Sequence, residues 1–312
     1  MSELKTEPTH ESTASSAPDA KQAVSSHRKQ KAVENWLEFA SNRGGLIGLG
    51  LLVLVIVIAL LTPILVPLDT LDVTRVAADP NQPPGDGHLL GTDPSGRDVL
   101  GMLLWGSRIS LLVGFLATLV SMVIGTTVGM MAGHFTGFGR AVLLRVVDFF
   151  LVIPQLVLAI TLSAVMSRGI LTIIIAIGVT GWASTARMVR SQTLSVEARP
   201  YIERARALGA GDWHIITRHV LPAVMPIVLA NTTLHVGSAV IAESTLAFLG
   251  VGDPNAISWG SMLKRALDTG AASAGYWWYI LPPGIAIAAV VMCFTLVGRA
   301  LESVVNPSLR GR

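Results

Sequence analysis

Charged residues are scarce in this chain. Asp, Glu, Lys and Arg make up 14% of its 312 residues, 51% are hydrophobic, and the mean hydropathy is +0.60. That balance excludes an ordinary soluble domain and points to several membrane spans. The net charge of +3 is small and not gathered into a basic face, so nucleic-acid binding has little support. The single cysteine, Cys293, stands in an apolar run and is expected only to pack. One cysteine excludes both an intrachain disulfide and a cysteine-based metal site. No G-x-x-x-x-G-K-S/T phosphate loop occurs, so the chain is not expected to bind or hydrolyse ATP itself. A dinucleotide fingerprint and an HExxH metal helix are missing as well. His214 and His219 are five apart, off a shared helical face, and make a poor metal pair. No serine, cysteine or carboxylate constellation suggests catalysis, and an enzyme is not expected.

What the chain does have is a series of apolar runs separated by signed charge. Residues 1–30 are rich in Ser, Thr, Ala, Glu and Lys and are expected to be a disordered cytoplasmic tail. Residues 31–45 interleave Val33, Trp36, Leu37 and Phe39 with charges. They read equally as an amphipathic helix in the inner interface or as a frayed extension of the first span. That span, 46–67, is about 22 residues, enough to cross a ~30 Å hydrocarbon core and too long for a signal peptide. Arg28, Lys29, Lys31 and Arg43 precede it and place the N-terminus inside. Segment 68–108 holds six Asp against three Arg and is expected outside.

Residues 109–300 form a core with five further spans, expected over 109–132, 146–166, 170–185, 220–251 and 279–296, before a cytoplasmic tail over 301–312. Gly125, Gly129 and Gly133 recur every four residues on the first of these and bare one face for close helix contact. Asp148 near the cytoplasmic end of the next either pairs with an arginine or lines a pathway. Trp182, Trp259, Trp277 and Trp278 suit interfacial anchors. Asn231, His235 and Ser238 fall within about 40° of one another on a helix. They and Glu243, further round and nearer the outside, are either satisfied polar groups between helices or translocation-path residues. The expected fold class is an all-α integral membrane protein with six transmembrane helices and both termini cytoplasmic.

The loop 187–222 is too charged to cross a membrane, and its arginines place it inside. Residues 200–208 have good helix propensity, and Gly209 with Gly211 supplies a stop and a turn. A second short helix then runs into Pro222. Glu203-Arg204-Ala205, then Gly209, then Leu221-Pro222 resembles the EAA signature of permease subunits in ABC-type importers, with Arg204 standing where that family usually has alanine. The run from His88 to Asp98, HLLGTDPSGRD, followed by Gly106-Ser-Arg-Ile-Ser110, resembles the GTDxxGRD block of dipeptide, oligopeptide and nickel permeases. A calcium loop at Asp93 and Asp98 lacks the EF-hand spacing and its closing Glu. The runs Glu243 to Gly252, Ser258 to Leu263 and Tyr276 to Trp278 are similar to the same subfamily.

The resemblance covers roughly residues 88–305 and implies the type I importer permease fold. It implies that Glu203, Arg204, Ala205, Gly209, Leu221 and Pro222 form a coupling loop seated on an ATPase subunit. It further implies a homologous second permease subunit, two ATP-binding subunits that carry ATP and Mg, and an extracytoplasmic substrate-binding protein. The chain itself would hold no cofactor and no metal. The expected cargo is a dipeptide or oligopeptide, with nickel or a nickel chelate as the alternative. A secondary transporter or channel would explain six spans, but it needs no EAA loop and tends to show an internal repeat, which is not apparent here.

Overall fold

The computed structural model describes residues 33–305 apart from 35, 76, 77 and 86. The tail expected over 1–30 and most of that over 301–312 lie outside the described residues. Among the described residues the chain is helical, with only isolated bridges, Gly85 to His88 and Thr92 to Asp98, in place of strands.

Helix α1 spans Arg43–Leu65. Asn42 caps it, accepting a hydrogen bond from Gly45 N at 3.0 Å, and so separates it from a short helical stretch over residues 36–41. Phe39 of that stretch is buried against Val297 and Ala300, which docks the amphipathic segment onto the C-terminal span. Most of the apolar side chains of α1 point outward, as a lipid-facing helix requires.

Helix α2 spans Val99–His134 and so begins ten residues before the expected Ile109. The reason is Asp98, whose carboxylate accepts from Gly101 N at 2.7 Å and also meets His88 Nδ1 at 3.1 Å. Just upstream, Asp93 is 1% exposed and accepts from Ser95 N, Arg97 N and the Arg97 guanidinium. The acids of the Gly-Thr-Asp block are therefore spent on capping and ion pairing within the chain. Truncating Arg97 would leave a buried carboxylate without its counter-charge. Arg97→Ala is expected to destabilise the protein by about 3–5 kcal/mol, read as a lower melting temperature in detergent. Arg97→Lys, which cannot reproduce the forked contact, should recover only part of that loss. A melting curve unchanged in Arg97→Ala would show that the pair contributes nothing.

After α2 come α3, Gly137–Val152, and α4, Gln155–Val165, bent by 93° at Ile153-Pro154. The span expected over 146–166 is thus made of two helices, the first of which begins nine residues earlier, at Gly137. Proline cannot donate the next helical hydrogen bond and biases the residue before it to extended geometry, so the helix stops at Val152. The bent pair still makes one crossing. His134, just before it, touches Glu197 and Asp212, whereas Arg168, just after it, lines a cavity with Asp253 and Lys264 at the opposite end.

Helices α5, Ile170–Thr180, and α6, Trp182–Glu197, return across the bundle with a break at Gly181. The fourth span thus runs twelve residues beyond the expected Thr185, and Arg187 and Arg190 lie on its last turns rather than in a loop. Trp182 is also corrected. It is buried, with its ring 5.1 Å from Phe150, and anchors no interface. The seam between α2 and α6 is where the glycine repeat matters. A Cβ at Gly125 would lie 2.7 Å from Trp182 O, one at Gly129 2.6 Å from Ala186 O, and one at Gly133 2.7 Å from Thr193 Cβ.

Helix α7, Pro200–Ala207, and helix α8, Asp212–Ile215, form the knob between spans. Helix α8 passes through a π turn, Ile216–Val220, into α9, Leu221–Phe248, so the second short helix is continuous with the fifth span. Helix α10, Trp259–Asp268, follows with Trp259, Met262 and Ala266 packed in the core, and α11, Trp277–Val305, closes the bundle. Trp259 is a further correction. It is buried, with Nε1 donating to Leu103 O at 3.0 Å, while Trp277 is the exposed one. Cys293 packs in the interior.

With the bent pair as one crossing, the described residues make six. The groove that Trp36, Phe39 and Val304 share with Pro222 puts the described chain ends and the knob on one face.

Candidate functional site

The knob is built from a buried apolar anchor and an exposed outer surface. Ile202 on α7 and Ile215 on α8 are fully buried with Val220, Val224, Met130, Val189 and Val196. Gly209 sits between the two helices at φ +86°, where an L side chain is strained, and its N–H donates to Arg206 O at 2.9 Å. Ala210 N reaches Ala205 O at 3.0 Å, so Ala205 and Gly209 together terminate α7 in a left-handed cap. Glu203 and Arg204 project outward, as do Tyr201, Leu208 and Trp213. Leu208 is 89% exposed and Trp213 77% exposed, on a loop otherwise rich in charge. Leu221 and Pro222 follow the π turn directly, where Pro222 has no N–H to donate back into the preceding turn.

A polar cluster ties this knob to the rest of the bundle. His134, the last residue of α2, is buried and meets Glu197 through Nδ1 and Asp212 through Nε2, the latter at 3.3 Å. Glu197 also accepts from Arg206 of α7. One imidazole therefore links the ends of α2 and α6 to the start of α8. Sequence reasoning missed it. His134 and Glu197 are 63 residues apart, and no local pattern announces the pairing.

The five residues singled out as translocation-path candidates do not form one site. Asp148 accepts from Arg187 Nη2 at 3.0 Å near the knob end. Glu243 is buried, taking Ser110 Oγ at 2.8 Å and Ser244 Oγ at 3.2 Å, and borders the outer cavity instead. His235 and Ser238 line a separate cavity of about 380 Å³ with Thr118, Ser121 and Gln155, and Asn231 stands outside it. Thr118 and Ser121 were not foreseen, because small hydroxyl residues on a glycine-rich apolar helix read as packing.

Comparison with known proteins agrees with this geometry. Residues 125–311 match the family of binding-protein-dependent transport system inner membrane components, and residues 33–84 match the N-terminal transmembrane domain of oligopeptide transport permease C. A dipeptide transport system permease protein of Bacillus subtilis is 34% identical over 88% of this chain and 85% of its own. An oligopeptide transport system permease protein of the same organism is 32% identical, covering 90% and 92%. A glutathione transport system permease protein of Pectobacterium atrosepticum is 35% identical over 74% and 76%. Among solved structures, a chain of the MetNI methionine ABC transporter in inward facing conformations has a TM-score of 0.54 at 22% identity. It covers 65% of this chain and 96% of that one, and it bears on the fold alone. The chain is a multi-pass inner membrane protein and belongs to the family of binding-protein-dependent transport system inner membrane components.

Proposed function

We propose that this chain is one of two homologous permease subunits of an ATP-driven importer of dipeptides or oligopeptides. In this reading the knob face is cytoplasmic and α7 seats on a separate ATP-hydrolysing subunit. ATP and Mg belong to two such subunits, and an extracytoplasmic binding protein delivers the cargo. The chain itself does no chemistry.

The observation that carries the reading is the knob. Leu208, Trp213 and Tyr201 stay in the open among arginines, while Ile202 and Ile215 root the same segment in the core. Apolar side chains exposed on a rigid charged loop suit a protein partner better than solvent. Because α8 is continuous with α9, movement of the knob is carried directly into a membrane-spanning helix. ATP hydrolysis acts on the bundle only through a difference in partner contacts between two bundle states. The peptide assignment rests on the likeness to dipeptide, oligopeptide and glutathione permeases.

Uptake of a labelled dipeptide, a longer peptide and nickel, in cells with and without the gene and with and without energy depletion, tests it. Deletion is expected to remove energy-dependent peptide uptake and leave nickel uptake unchanged. Loss of nickel uptake alone would keep the importer and replace its cargo.

A further inference from the structure

The cavity beside His235 has features that packing does not require. Thr118 and Ser121 lie near the middle of α2, and His235 near the middle of α9, so the cavity sits at mid-membrane depth. The hydroxyls of Thr118 and Ser121 are buried, at 2% and 3% exposure, and neither has a hydrogen-bond partner in the protein. In an apolar surround an unpaired hydroxyl is unfavourable, and serine or threonine in a membrane helix usually bonds the preceding turn. Thr62, Thr161, Thr232 and Thr245 do so here, whereas Thr118 and Ser121, like Thr126, Ser163 and Thr193, do not, and of those five only Thr118 and Ser121 line this cavity.

Both helix breaks open onto the same cavity. Gln155 begins α4, whose first turn has no side-chain cap, and Gly181 separates α5 from α6. The missing side chain at Gly181 leaves a corner where Gln155 Nε2 and Ser121 Oγ converge, at 2.9 and 3.1 Å from where a Cβ would stand. His235 Nε2 is 3.4 Å from Thr185 Oγ1 on α6 and forms the opposite wall. No Asp, Glu, Lys or Arg lines the space. Its mouth, framed by Leu156, Ser238 and Ile241, lies on the exposed side of the chain.

The lining presents unpaired hydroxyls, a carboxamide and the positive end of a short helix, each able to donate a hydrogen bond into the cavity. Such a site receives neutral carbonyl oxygens. It has one imidazole and no carboxylate, so it is poorly built for a metal ion. We propose that this cavity is a transient cargo site within the membrane, holding the backbone of a passing peptide by its carbonyl oxygens. The proposal rests on the peptide-importer reading above. Thr118, Ser121 and Gln155 are its donors, and the site is weak by design, since cargo must leave it in each cycle.

The complete transporter, reconstituted in proteoliposomes with its binding protein, provides the test. Peptide uptake and ATP hydrolysis are measured together at saturating peptide. Replacing both hydroxyls, in T118V/S121A, is expected to lower maximal uptake about 10-fold while hydrolysis stays within about twofold of wild type. The swap T118S/S121T, which keeps both hydroxyls, should restore uptake to within about twofold. Equal uptake in wild type and T118V/S121A overturns the site. So does an equal loss in both double variants, because shape and not hydrogen bonding would then be responsible. Absence of peptide uptake by the wild-type complex would instead overturn the importer reading on which the site depends.

Discussion

A Gly209→Trp protein is expected to insert and fold normally and yet lose ATP-driven uptake almost completely. A Cβ at Gly209 meets nothing within 4 Å, so the indole has room in the free chain and projects outward from the knob. The residue sits at φ +86°, which adds a strain of roughly 1 kcal/mol for any L side chain. Strain of that size does not unfold a six-span bundle. Against a partner surface the situation differs, because a bulky ring at the tip of a close contact forces the two surfaces apart. Gly209→Ala carries the strain without the bulk and should keep most of the uptake. Gly137 gives the second control. It has φ +79°, is equally open, is the first residue of α3, and is not part of the knob. Gly137→Trp should therefore leave coupled uptake near wild type. Uptake and copurification with the ATPase are measured for all three. Coupled transport retained in Gly209→Trp would remove α7 from the proposed interface.

Much of this architecture could be read from residues alone, and where the reading failed the cause is local and physical. Runs of apolar residues bounded by arginines located the crossings, because the bilayer imposes a minimum length that little else does. Helix ends were less visible. Asp98 moved the start of α2 outward by capping it, and Gly181 split a continuous apolar run whose composition gave no sign of a break. Pro154 marks where a break falls, but a 93° bend depends on what α3 and α4 pack against. Tryptophans misled for a related reason. Interfacial preference is an average, and Trp182 and Trp259 found neighbours that buried them.

The site shows the same division. Gly209 and Ala205 are legible because turn geometry at a helix end restricts the residue locally. His134 is not, since its partners arrive from two other helices. The polar stripe on α9 was partly legible. His235 and Ser238 do share a cavity, but Asn231 is not among its lining and Glu243 turns to Ser110, and periodicity along one helix cannot say which helix stands opposite.

Gly129→Leu should be severely damaging to the bundle itself. Lipid tails are as apolar as leucine, so helices in a membrane gain little from burying one another and depend on close packing. The α2–α6 seam achieves that closeness through three glycines spaced four apart. At the middle one, even a methyl group would stand 2.6 Å from Ala186 O and 2.8 Å from Val189 Cβ. The first obstacle is backbone, which cannot rotate out of the way, and Val189 is fully buried. The helices must separate, and separation exposes Val189, Ala186 and the neighbouring Gly125 and Gly133 contacts together. A loss of about 3 kcal/mol or more is expected, toward or beyond the upper end of overpacking costs. Gly129→Ala should fall between leucine and wild type. Gly139→Leu, at a glycine with nothing within 4 Å, should leave stability unchanged. Thermal melting and membrane yield of the four proteins give the ranking. If leucine at 129 melts with wild type, the two helices do not pack along this seam. The order wild type, alanine, leucine would show that close backbone approach at Gly129 holds α2 and α6 together.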